Sequence, residues 1–111
     1  MPLVKLFTSP QLSKKVPLKS LQSAMCKIWG TTPSTTKLMV FEASSWTTHP
    51  YDEDVYVDIR AKATPSRTRD LVLDNMGDIQ KAFKEHGLVA NVRLEVYDGP
   101  DYFHVPPPSS P

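Results

Sequence analysis

Twice along this chain an alternating apolar strand leads into an amphipathic helix that ends at a glycine, and a further strand follows; no other feature constrains the fold as strongly. The first set runs Leu3-Val4-Lys5-Leu6-Phe7-Thr8, then a helix from about Val16 to Trp29, then Lys37-Leu38-Met39-Val40-Phe41-Glu42-Ala43. Leu18, Leu21, Met25 and Ile28 fall at i, i+3, i+7 and i+10 and form one stripe. Pro17 sits in the first turn, where a missing N–H is tolerated, and Gly30 suits the position just past the end. The second set runs from Val55 to Arg60, then a helix from about Ser66 to His86, then Asn91 to Tyr97. Thr64-Pro65 predicts a cap followed by proline at the first helical position, Gly87 the stop, and Val72, Met76, Ile79 and Phe83 the buried face. Val40 and Phe41 together predict burial on both faces of the second strand, and Ser44 to Asp54 reads as a loop. The pattern gives an α/β (α+β) chain of two β-α-β units, an order that the ferredoxin-like split βαβ arrangement shares.

A chain of 111 residues, 40% apolar and 23% charged, is one globular domain with a modest core of its own. Residues 2–105 read as that domain and 106–111 as a Pro-rich tail that is extended or disordered. The 13 basic and 12 acidic residues are dispersed and leave a net charge of +1, so no nucleic-acid footprint is visible. Cys26 stands alone, which excludes an internal disulfide; beside Met25 in mid-helix it reads as a buried or half-buried thiol. His49, His86 and His104 are isolated, so neither a metal site nor a cofactor is expected. The start lacks a basic region followed by a long apolar one, and no run approaches membrane-spanning length, so no leader or span is expected and the expected location is the reducing cytoplasm.

Met1-Pro2 has chemical meaning because a small second residue normally allows the initiator Met to be removed. Pro2 would then carry a secondary amine, and an α-amino group has a reference pKa of about 7.7–8.0 that neighbouring cations lower. Such an amine serves as a base near neutral pH; equally, proline at this position simply opens an edge strand. Arg60, Lys62, Arg67 and Arg69 cluster after the third strand and offer positive charge to an anionic group, with Arg67 and Arg69 alternatively solvated charges at a helix start.

Pro2 opening a strand, Val16-Pro17 at a helix start, and Gly30 followed by a Pro33-containing turn give the chain a resemblance to the tautomerase superfamily. The resemblance is greatest to its macrophage migration inhibitory factor branch and covers most of residues 2–97. It implies a four-stranded sheet with two helices on one face, a homotrimer, and cofactor-independent keto-enol proton transfer on a small 2-keto acid. Pro2 would be the general base or acid, Arg60 the holder of the substrate carboxylate, and Lys37, Lys62 and Arg67 further substrate contacts. Tyr97 would be a polar partner across an interface or an interface aromatic without a chemical role. Two features depart from the family: the long Ser45 to Asp54 loop with Trp46, His49 and Tyr51, and the absence of glycine between Ala61 and Ser66. The dehalogenase-like branch adds a carboxylate that activates water, a role open here to Asp98 or Asp101. Other readings are a binding or signalling protein that leaves Pro2 unused, and a ferredoxin-like regulatory domain.

Overall fold

The computed structural model describes residues 2–45 and 53–108, so the loop residues Trp46, His49, Tyr51 and Asp52 lie outside the described part. The apolar alternation of the first segment becomes β1 (Leu3–Thr8), with Val4, Leu6 and Thr8 buried and Leu3, Lys5 and Phe7 half-buried. It pairs in parallel with β2 (Lys37–Glu42) and antiparallel with β3 (Val55–Lys62), and β3 pairs in parallel with β4 (Ala90–Tyr97). The resulting sheet has the order β2-β1-β3-β4. Each parallel pair needs a crossover helix, here α2 (Leu18–Trp29) and α3 (Arg69–Lys84), with a one-turn α1 (Pro10–Ser13) ahead of α2. The strand-helix order of the sequence is therefore present as two β-α-β units joined back to back through β1 and β3.

The core lies between the sheet and the two long helices. Leu21 and Met25 of α2 and Ile79 and Phe83 of α3 are fully buried against Val4, Leu6, Val55, Val57 and Ile59. Each such side chain contributes about 1.5–3 kcal/mol relative to leaving it in water. Helix α2 ends where Gly30 turns left-handed at φ 66° and Thr31 N–H donates to the Cys26 carbonyl at 2.9 Å. The turn that follows is pinned: Gln22 Nε2 donates to the Thr36 carbonyl at 2.9 Å, and the Thr31 and Thr36 hydroxyls lie 2.6 Å apart. This delivers Lys37 opposite Leu3 in the β1–β2 register.

Three local expectations are corrected. The cap of α3 is Thr68, whose side chain accepts from Leu71 N–H at 3.3 Å, rather than Thr64. The physical reason is that β3 continues to Lys62 and Ala63 N–H still bonds Tyr97, so Thr64 is spent in the reversing turn, its carbonyl accepting from Arg67 N–H. Phe41 is 36% exposed because β2 is an edge strand with no helix on that side; its ring stacks instead on Phe7. At the other end of the stripe, Leu18 is also exposed, as the first residue of α2, behind Pro17 at the cap.

Candidate active site

Four strand ends meet at one end of the sheet: β1 and β2 begin there, and β3 and β4 finish there. The register sets Leu3 between Lys37 and Arg60, and Lys62 beside Tyr97. Because side chains alternate, Leu3, Arg60 and Lys62 project away from the helices while Val4, Ile59 and Ala61 enter the core. A cavity of about 410 Å³ results, lined by Leu3, Lys37, Arg60, Lys62, Tyr97, Tyr102 and His104.

The outer wall is made by a reversal after β4. Residues Gly99–Asp101 form a 3-10 turn, with Tyr102 N–H donating to the Gly99 carbonyl at 3.2 Å. The reversal lays the Tyr102 ring on Tyr97, with centroids 4.4 Å apart and planes at 30°. Gly99 packs closely on the flexible end of Lys62, where an added Cβ would meet Lys62 Cε at 3.0 Å. The Arg60 guanidinium carbon also lies over the Tyr97 ring, 5.7 Å from its centroid. Arg60 Nε is 3.9 Å from Glu95 Oε1, and the two side chains are 47% and 71% exposed, a loose pair worth little. Lys37, Arg60 and Lys62 give the lining three cations and no carboxylate, so its electrostatics suit a small anion.

Of the residues expected from sequence, Lys37, Arg60, Lys62 and Tyr97 are brought together around this one cavity. Pro2 is fully buried next to it; its carbonyl accepts from Lys37 N–H at 3.3 Å, and its neighbour Leu3 lines the cavity, but Pro2 itself does not. Arg67 stands outside the lining, with its guanidinium donating to the Lys62 carbonyl, and Arg69 is exposed at the first position of α3. Asp98 and Asp101 are exposed in the turn and do not line the cavity. Sequence reasoning missed Tyr102 and His104; the available signal was the Asp98-Gly99-Pro100 turn, which folds the following residues back. Among the described residues no three His, Cys, Asp or Glu side chains gather as a metal site, and no helix is long and apolar enough to cross a membrane.

No family model matches the chain. No curated protein matches it either. Solved structures do. A fused 4-OT described as a symmetric trimer matches with a TM-score of 0.64 at 14% identity, over 90% of this chain and 89% of that one. The macrophage migration inhibitory factor of Toxoplasma gondii matches with a TM-score of 0.60 at 13% identity, over 92% of this chain and 95% of that one. A member of the cis-3-chloroacrylic acid dehalogenase family matches with a TM-score of 0.65 at 12% identity, over 92% of this chain and 79% of that one. At 12–14% identity these similarities concern architecture, and the chain has the fold of the tautomerase superfamily.

Proposed function

We propose that the protein is a cofactor-independent tautomerase that moves a proton between carbon and oxygen of a small 2-keto acid, with Pro2 as the base once Met1 has been removed. The observation that carries this reading is the meeting of Lys37, Arg60, Lys62 and Tyr97 at the sheet end where β1 begins. In the keto-to-enol direction the Pro2 nitrogen takes the proton from the carbon next to the carbonyl and becomes an ammonium. The C–H electron pair forms the new carbon-carbon double bond, and the carbonyl π pair moves onto oxygen. Arg60 holds the carboxylate through its planar fork, while Lys37, Lys62 and the Tyr97 hydroxyl stabilise the enolate oxygen as charge develops there. Protonation of that oxygen from solvent completes the enol, the Pro2 ammonium releases its proton to solvent, and the reverse sequence returns the ketone. The same cations depress the proton affinity of the Pro2 amine, which keeps a useful fraction of it unprotonated near neutral pH.

The working form in this reading is a homotrimer in a reducing cytoplasm. The trimeric description of a similar fold supports it, as do the open edges at β2 and β4 and the aromatic cluster of Phe7, Phe41 and Tyr56 on the helix-free face. A second reading, a binding protein that makes no use of Pro2, is favoured by the full burial of Pro2 and its absence from the cavity lining.

The test is ketonisation of the enol form of phenylpyruvate by Met-processed protein beside Pro2→Ala, each with its solution mass measured. Rate lost in Pro2→Ala, with assembly unchanged at three chain masses, is the expected result. Equal rates in the two proteins, or none above buffer, favour the binding protein.

A further inference from the structure

The sheet supplies Leu3, Lys37, Arg60, Lys62 and Tyr97 to the cavity, but the remaining wall comes from outside it. After the Gly99–Asp101 turn the backbone is extended at Tyr102, at φ −109° and ψ 126°. Tyr102 and His104 line the cavity, whereas the intervening Phe103 and the following Val105 are 87% and 91% exposed. This is the period-two alternation of an extended segment with one side turned to the site. Tyr102 is held in place by its stack on Tyr97 and by its backbone bond to Gly99. Neither its hydroxyl nor the His104 imidazole is engaged in a hydrogen bond with the described residues.

The two sides of the cavity thus differ in chemistry. The sheet side presents the three cations, which suit a carboxylate and a developing oxyanion. The arm presents an aromatic face and two hydrogen-bonding groups, which suit a planar substituent. We propose that Tyr102 and His104 form the substrate-selecting wall of this site: they hold the group attached beyond the 2-keto acid unit and favour a planar one through stacking on Tyr102 and contact with His104. The inference rests on the proposed 2-keto acid chemistry for the orientation of the ligand, and it needs no contribution from Pro2.

Two 2-oxo acids without a removable α-hydrogen, phenylglyoxylate and glyoxylate, test it, because neither can be turned over; glyoxylate lacks the ring and, being largely hydrated in water, reports the carboxylate contacts. Affinities are measured on the full-length protein by NMR titration, following the His104 and His86 ring protons. Phenylglyoxylate is expected to bind about tenfold more tightly than glyoxylate and to move the His104 signals but not those of His86. Tyr102→Ala should weaken phenylglyoxylate about fivefold and leave glyoxylate unchanged, while Tyr102→Phe, which keeps the ring, should retain the preference. Equal affinity for the two acids, an unchanged preference in Tyr102→Ala, or unmoved His104 signals overturns the assignment. Should wild type bind with these signatures and yet not ketonise phenylpyruvate, the selecting arm stands and the tautomerase reading falls. Ketonisation without these signatures keeps the tautomerase reading and removes the arm from substrate selection.

Discussion

The two faces of one sheet serve different ends in this protein. On the helix side Val4, Leu6, Val57 and Ile59 meet Leu21, Met25, Ile79 and Phe83, and all eight are fully buried. The opposite side carries Phe7 stacked on Phe41 at 5.2 Å, Arg93 5.5 Å from the Tyr56 ring centroid, and the cationic cavity at the strand ends. Neighbouring residues therefore belong to separate tasks: Ile59 holds the fold, and Arg60, one position on, faces the cavity. The alternation that makes a strand amphipathic also lets chemistry change on one face without disturbing the packing on the other.

That division can be attacked from either side. The largest effect is expected on the helix side, where Phe83→Ala should lower the unfolding free energy by about 3–5 kcal/mol in urea titrations; a loss below about 1 kcal/mol would mean that the core is not where the burial places it. On the open side Arg60→Gln should reduce kcat/KM for the enol substrate about 100-fold while the urea midpoint stays put, since its ion pair is loose and exposed. A matching fall in stability would show the two faces to be coupled. Gly99→Ala sharpens the comparison further, because the new Cβ meets only the far end of the flexible Lys62 side chain. Unchanged stability with phenylglyoxylate binding about threefold weaker is expected, the size of one displaced contact. The smallest effect belongs to Glu95→Gln, within about 0.5 kcal/mol in stability, because its partner contact is 3.9 Å long and its side chain is 71% exposed.

The helix-side face was the legible one. Periodicities of two and about 3.6 located every strand and both long helices, and Gly30 and Gly87 marked helix ends, each with positive φ. What stayed hidden depended on distance in space. Phe41 has the composition of a buried strand residue, and only the strand order reveals that β2 is an edge. Thr64 has the composition of a cap, and only the length of β3, which runs to Lys62 before releasing the chain, moves the cap of α3 to Thr68. At the site, Arg60 and Lys62 were nameable from the cation cluster after the third strand, and Lys37 and Tyr97 through the family resemblance. Tyr102 and His104 were not: the Asp98-Gly99-Pro100 turn signals a reversal, but not the surface that the returning arm meets.

The most direct measurement compares two preparations with the same Pro2 ring and the same cavity, one ending at a free Pro2 nitrogen and one carrying a single additional residue ahead of it. Phenylpyruvate enol ketonisation is followed across pH in both, with intact mass confirming each N-terminus. A rate that rises with pH through an apparent pKa at or below about 8 in the free form, and stays at the buffer level in the extended form, is the expected result. Equal rates in the two preparations would contradict it and remove Pro2 from the chemistry.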